Sequence, residues 1–169
     1  MTFKQIAQQI LTEKGKRIKR DLQFVEDIYI RETFYRFCEQ NMGLCLVGKV
    51  GGGKTFFFEV LNRFLEHKGK PQFIWHEADD LELILRNEGK DALIKLAKRP
   101  ESILINDLGM EKKTKEGSNG YIISNIEQEP FEIFMYYRHK MWIKDPQTKT
   151  HITSNRCANV DNFFHSTKV

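Results

Sequence analysis

Cysteine is scarce in this sequence of 169 residues, and long apolar runs are absent from it. There are three cysteines, an odd number, and no two are spaced as C-x-x-C, which argues against a disulfide framework and against a zinc site. No stretch approaches the roughly 20 consecutive apolar residues that cross a membrane. The lysine-rich N-terminus has no long apolar core, so it does not resemble a secretory signal. These features favour a cytoplasmic protein with reduced thiols and no membrane contact.

The rest of the composition is that of an ordinary folded domain. Apolar residues make up 40% and charged residues 30%, and 13 phenylalanines favour a packed core. The net charge of +4 permits a polyanionic partner without requiring one. No internal repeat or low-complexity tract is visible. We divide the chain into an N-terminal helical, partly basic segment over residues 1–40 and a core over residues 41–169.

Short apolar segments alternate with helical patterns along the chain. Strands are predicted at residues 44–47, 72–76, 102–106 and 149–153, and the first is expected to be central in its sheet. Helices are predicted at residues 54–67, from a cap at Asp79 or Asp80 to 85, at 91–98 and at 121–138 with a kink or break at Pro130. This alternation predicts an α/β protein with a parallel sheet.

Residues 48–55 read GKVGGGKT and match the phosphate-binding pattern GxxxxGK[ST] in full. The glycines let successive backbone N–H groups face phosphate oxygens, and the following helix directs its positive end at the same anion. Lys54 is expected to reach the β- and γ-phosphates, and the Thr55 hydroxyl to bind Mg²⁺. The sequence therefore predicts a site for ATP with Mg²⁺. The residues expected to line the nucleotide are Gly48, Val50, Gly51, Gly52, Gly53, Lys54, Thr55 and Phe56.

An acidic residue follows the third apolar strand, as an ATPase requires for its metal shell and its attacking water. The usual pair of acids is replaced here by Asn106-Asp107. Either Asp107 serves the metal alone or catalysis is weak. Glu111 stands nearby and could orient water or a partner, or could be a solvated loop residue.

The fourth predicted strand ends in polar residues. A polar side chain between the phosphate loop and the acidic strand can sense the γ-phosphate and position water. Asn155 is the best candidate, with Thr153 and Ser154 as alternates, although a plain turn would also use Ser-Asn. The predicted catalytic residues are therefore Lys54, Asp107 and Asn155.

Three motifs stand in order along the chain: GKVGGGKT, ILINDLGME and HITSN. Together they resemble the DnaC/IstB-like group of AAA+ ATPases, the bacterial helicase loaders and transposition helpers, over roughly residues 40–157. The resemblance implies a P-loop three-layer sandwich with a parallel sheet of order 5-1-4-3-2. It also implies an ATP-driven, self-associating protein of DNA replication that grips single-stranded DNA and a partner such as a replicative helicase.

The sequence departs from that group at two places. Asn106 replaces the expected first acid. The chain ends at Val169, so the fifth strand, the arginine finger and the helical lid of the group are expected to be missing. Arg156 is too close to Asn155 to act as the finger. Hydrolysis by the isolated chain is accordingly expected to be weak.

Several surfaces have two interpretations each. The basic cluster over residues 14–20 and the lysines at 112, 113 and 115 could contact nucleic-acid phosphates, or could be solvated charges. The aromatic residues Phe131, Phe134, Tyr136 and Tyr137 could stack on bases, but packing against the sheet is favoured.

Two other functions compete with the helicase-loader interpretation. A nucleotide-binding assembly scaffold with little hydrolysis is favoured by Asn106 and by the early end of the chain. A small-molecule P-loop kinase would need several arginines near a lid and an acid that binds the acceptor, and the sequence offers no such arrangement.

Overall fold

The computed structural model describes residues 1–18, 28–39, 43–108 and 130–155 of the chain. The helices are α1 (Phe3–Ile18), α2 (Ile28–Glu39), α3 (Lys54–His67), α4 (Ala78–Glu88), α5 (Lys90–Ala97) and α6 (Pro130–Lys144). The strands are β1 (Cys45–Val47), β2 (Ile74–Glu77), β3 (Ile103–Leu108) and β4 (Thr150–Ser154). None of the helices in these ranges has the length and apolar character needed to cross a membrane.

The four described strands form one parallel sheet in the order β1-β4-β3-β2. This arrangement confirms the predicted α/β fold and the 1-4-3-2 part of the predicted strand order. Within the described residues β1 lies at an edge of the sheet, so its predicted central position is not what the structure shows. Its first and last residues, Cys45 and Val47, are exposed, as expected for an edge strand.

Two apolar clusters cover the two faces of the sheet. The first combines α1 and α3 with Leu104, and the second combines α4, α5 and α6 with Ile103 and Ile105. Successive residues of β3 thus point to opposite faces, as the two-residue period of a strand requires. Helices, sheet and helices form the three layers expected from the sequence. The N-terminal helix α1 belongs to this core, since its buried side chains pack against α3.

The buried guanidinium of Arg138 ties α6 to the segments that enter β3 and β4 at one end of the sheet. Its nitrogens donate to the carbonyl oxygens of Ala97, Arg99, Glu101 and Lys149 at 2.7–3.4 Å, and to Thr150 Oγ1 at 3.0 Å. Burial lowers the pKa of this side chain to about 10. A buried cation with this many acceptors fixes the helix rather than binding a ligand.

Close packing also fixes the start of β1. A Cβ atom on Gly43 would lie 1.6 Å from the carbonyl oxygen of Thr150, so only glycine fits beside β4 there. Next along the chain, the backbone N–H of Leu44 donates to His151 Nδ1 at 3.1 Å. Burial lowers the pKa of His151 to about 3, so this ring is neutral and structural.

Three sequence predictions of element bounds are corrected by the structure. The cap of α4 is Glu77 instead of Asp79 or Asp80, and Asp80 Oδ2 instead accepts a hydrogen bond from the Glu77 backbone at 2.9 Å. The last described helix runs from Pro130 to Lys144, beyond the predicted end at Arg138. Pro130 is its first residue, where the missing N–H costs nothing, while residues 121–129 lie outside the described part of the chain. β3 ends at Leu108, two residues beyond its predicted end at Asn106, so Asp107 belongs to the strand.

Candidate nucleotide site

The phosphate-loop sequence forms the turn between β1 and α3. Gly51 and Gly53 both have φ of 79°, a left-handed conformation that glycine adopts without strain. Lys54 is the first residue of α3 and Gly53 is its N-cap, so the free N–H groups of the helix start face the loop. The loop is anchored to the sheet, because Gly48 N donates to the carbonyl oxygen of Ser154 at 3.1 Å.

The ammonium group of Lys54 turns back into the loop. Its Nζ donates to the carbonyl oxygens of Gly48 and Lys49, both at 2.9 Å, and to Asn155 Oδ1 at 2.7 Å. A contact across 101 residues of sequence thus joins two residues that the sequence assigned to one site. The lysine charge is held at the mouth of the loop, where an incoming phosphate would replace neutral oxygen acceptors.

The other loop residues differ in how they are placed. Val50 is 77% exposed at the tip of the loop, and Thr55 is exposed at the start of α3. Gly52 N donates to the carbonyl oxygen of Lys49 at 3.2 Å, which closes a tight turn. The side chain of Phe56, which we also predicted to line the nucleotide, packs against the core cluster of α1 and α3, with Lys14 Nζ 5.3 Å from its ring centre.

Asp107 is held in an uncommon backbone conformation beside the loop. Its φ is 56°, a left-handed value that few non-glycine residues adopt, and it sits where the register of β3 against β4 shifts. The Asp107 N–H donates to Thr153 Oγ1 at 2.8 Å. Asn155 Nδ2 donates to Asp107 Oδ1 at 3.0 Å. The irregular strand end therefore directs this carboxylate toward Asn155, which also contacts Lys54.

Asn106 is the centre of a second set of hydrogen bonds. Its side chain is 4% exposed, and its Oδ1 accepts from Thr55 Oγ1 at 3.0 Å and from Thr153 Oγ1 at 2.8 Å. Its Nδ2 donates to Glu77 Oε2 at 2.8 Å. The structure thus brings together Lys54, Thr55, Asp107 and Asn155 from three separate motifs at the carboxyl ends of β3 and β4.

Glu77 is a residue of this site that the sequence analysis missed. It ends β2, and parallel pairing places it opposite Asn106. The signal was present in the sequence, because an acid directly follows the apolar-rich segment QFIWH, but we ended the predicted strand at His76. Glu111 and Arg156, which the sequence analysis also considered, lie outside the described residues.

The residues at this edge of the sheet offer the ligand type that magnesium prefers. Thr55, Asn106, Asp107 and Glu77 present hydroxyl, amide and carboxylate oxygens, which suit a hard divalent cation. Within the described ranges, no group of three or more His, Cys, Asp or Glu side chains could hold a metal alone. Magnesium that arrives with ATP needs only one or two protein oxygens, because phosphates and waters complete its shell. The chemistry of the site fits such a metal.

The sheet order and the glycine loop between β1 and α3 define the P-loop α/β fold in its AAA+ arrangement. No model of a protein family matches the sequence, and no curated protein matches it. Solved structures do match. The DnaC helicase loader is 22% identical over 85% of this chain and 79% of its own, with a TM-score of 0.53.

Two further structures are similar at lower identity. A DNA replication initiation factor is 16% identical, with a TM-score of 0.51 over 76% of this chain and 36% of its own length. AMPPCP-bound DnaA from Aquifex aeolicus is 16% identical, with a TM-score of 0.49 over 79% of this chain and 40% of its own. This chain thus spans well under half of these two proteins. The likeness to the DnaC helicase loader and to the DNA replication initiation factor confirms the resemblance to AAA+ replication proteins at the level of the fold.

Proposed function

We propose that this chain binds ATP with Mg²⁺ and acts in DNA replication in the manner of DnaC-type helicase loaders. The observation that carries the proposal is the meeting of Lys54, Asn155 and Asp107 at the open end of a glycine loop. These three side chains come from separate parts of the sequence and are joined by hydrogen bonds through Asn155. An ammonium group, an amide and a carboxylate placed around an anion-binding helix start suit a bound triphosphate.

Each residue has a role in this proposal. Lys54 exchanges its present carbonyl partners for phosphate oxygens, and backbone N–H groups of residues 51–55 donate to the same anion. Thr55 and Asp107 would hold magnesium, which would offset the negative charge of the phosphates. Asp107 also accepts hydrogen bonds from a water near the γ-phosphate, and Asn155 orients that water.

Nucleotide binding is tested by replacing Lys54 with alanine. Because hydrogen bonds to charged groups contribute about 1.5–3 kcal/mol each, ATP should bind about ten- to a hundredfold more weakly. Lys70→Ala is the matched control, since it removes the same charge from an exposed position just beyond the far end of α3. Titration of a fluorescent ATP analogue measures both variants. Equal affinity of the wild type and Lys54→Ala would refute the loop assignment.

The replication role is tested by phosphate release with and without single-stranded DNA and a replicative helicase. A loader should release phosphate faster when both are present. The second candidate, an assembly scaffold that binds ATP but turns it over little, is favoured by Asn106 at the position of an expected acid. Tight ATP binding with no phosphate release under any of these conditions would support the scaffold instead.

A further inference from the structure

The carboxylate of Glu77 is fixed in place by two side chains. Asn106 Nδ2 donates to Oε2 at 2.8 Å, and Trp75 Nε1 donates to Oε1 at 2.9 Å. Both oxygens therefore have a donor, although Glu77 is exposed at the end of β2. An exposed acid would ordinarily be free to rotate in solvent. Two ordered donors show that this charge has a defined position at the site edge.

The identity of Asn106 follows from its neighbours. Its amide accepts two hydroxyl hydrogen bonds, from Thr55 and Thr153, and at the same time donates to Glu77. Aspartate at this position could accept the hydroxyls but would have no hydrogen to offer, and would set two carboxylates side by side. An amide is therefore the group that Glu77 requires in the partner strand.

We propose that Glu77 supplies the negative charge that an acid at position 106 would otherwise bring to the magnesium shell. Asn106 is the neutral bridge that joins this charge to Thr55. Glu77 acts as a positioning residue, through Asn106 and through water, and the acidic pair of the site is divided between β2 and β3 as Glu77 and Asp107. This inference rests on the proposed nucleotide site, because it concerns the metal that accompanies ATP.

A purely structural role for Glu77 can be separated from this one. Glu77 also caps α4: its backbone N–H donates to Asp80 Oδ2, and its side chain accepts from the Asp80 backbone N–H, so a test of its charge must keep a side-chain oxygen for this cap. Glu77→Gln keeps the length of the side chain and an oxygen for Asn106, and removes only the charge. Glu88→Gln, at the exposed far end of α4, is the matched control for loss of one negative charge.

The experiment measures ATP binding across a range of Mg²⁺ concentrations and in EDTA. In EDTA, Glu77→Gln should bind ATP at least as tightly as the wild type, because it removes a negative charge near the triphosphate. With magnesium present, the Mg²⁺ concentration that gives half of the maximal gain in affinity should rise about tenfold, because one charge near a divalent cation is lost. Glu88→Gln should behave as the wild type. An identical Mg²⁺ dependence of Glu77→Gln and the wild type would overturn the proposal.

A second readout follows the site directly. Trp75 is hydrogen-bonded to Glu77, so its fluorescence in a Trp142→Phe background should change when Mg²⁺ is added to the ATP-bound protein. That change should need about tenfold more Mg²⁺ in Glu77→Gln. The double variant Glu77→Gln with Asn106→Asp, which moves the charge back to β3, should recover the wild-type Mg²⁺ dependence. Failure of the double variant to recover it, in a folded protein, would contradict the charge-exchange argument.

The outcome that would refute the nucleotide site differs from the outcome that would refute the role of Glu77. If no variant and no wild-type sample binds ATP, with or without Mg²⁺, the proposed function is wrong and this inference falls with it. If ATP binds in EDTA and Lys54→Ala weakens that binding about ten- to a hundredfold, the nucleotide site stands. The Mg²⁺ dependence of Glu77→Gln then decides this inference alone.

Discussion

Replacing Asn106 with aspartate should destabilise the protein, even though it restores the acid found in related motifs. The new carboxylate would face the Glu77 carboxylate across the 2.8 Å contact that Asn106 Nδ2 now makes. Two like charges about 4 Å apart repel by about 1 kcal/mol in water and by about 4 kcal/mol at an effective dielectric constant of about 20. Asn106 is 4% exposed while Glu77 is exposed, so the cost should lie between these limits.

The lost hydrogen bond adds about 1 kcal/mol, giving about 2–5 kcal/mol in total. That is a large part of the roughly 5–15 kcal/mol that stabilises an ordinary domain. The assay is a double-mutant cycle by urea unfolding, with wild type, Asn106→Asp, Glu77→Gln and the double variant. Because the glutamine introduced at position 77 can donate to the aspartate introduced at position 106, the double variant should recover at least half of the loss.

The pH dependence has a definite sign. Glu77 would raise the pKa of an aspartate at position 106 in the folded protein, so the folded state would hold its proton more tightly than the unfolded chain does. The destabilisation should therefore be small below about pH 4 and grow as the pH rises. A cost for Asn106→Asp that is independent of pH and equally large in the Glu77→Gln background would refute the reasoning.

Two further predictions concern the buried polar groups. The free energy of unfolding should fall as the pH drops below about 6.5, by up to about 1.4 kcal/mol per pH unit. The reason is that the imidazole at position 151 binds a proton in the unfolded chain, whereas buried His151, with its pKa of about 3, stays neutral in the folded protein. Urea unfolding of His151→Gln between pH 7 and pH 5 should show a clearly smaller slope, the remainder coming from His76, whose pKa burial also lowers. An unchanged slope would exclude His151 as a cause. Replacing Arg138 with methionine removes one hydrogen-bond donor from each of four carbonyl oxygens and should cost about 3–5 kcal/mol. Replacing exposed Arg86 with methionine should cost under about 1 kcal/mol by thermal unfolding. Equal losses for the two arginine variants would contradict the role given to Arg138.

The sequence predicted best those elements whose ends carry strong local signals. The helix predicted over residues 54–67 is α3 to the residue, because a glycine loop precedes it and Lys68-Gly69 follows it. The strand order 5-1-4-3-2 was predicted from three motifs and their resemblance to a known group, and the four described strands confirm its 1-4-3-2 part. Periodicity alone would have given parallel strands without their order.

The strand ends at the site were harder to predict because their polar residues are typical of loops. Asn106 and Asp107 extend β3 past its apolar segment, since Thr153 and Glu77 supply hydrogen bonds from both neighbouring strands. The N-cap of α4 was mispredicted for a related reason, because Glu77 is both the last residue of β2 and the residue that caps the helix. Local propensity cannot show these bonds, because each partner lies 29 or more residues away in the sequence.

The number of negative charges at the site likewise depends on which strands pair, and it cannot be read from one motif alone. Judged by β3 alone, Asn106 removes one of two acids and leaves Asp107 as the single carboxylate. The register of β2 against β3 places Glu77 opposite Asn106, so two negative charges remain at this edge of the sheet. An amide in an acidic motif therefore indicates lost catalysis only if the adjoining strand offers no acid. In this chain the adjoining strand β2 offers Glu77. The Mg²⁺ dependence of ATP binding to Glu77→Gln tests whether Glu77 supplies the negative charge that Asn106 lacks.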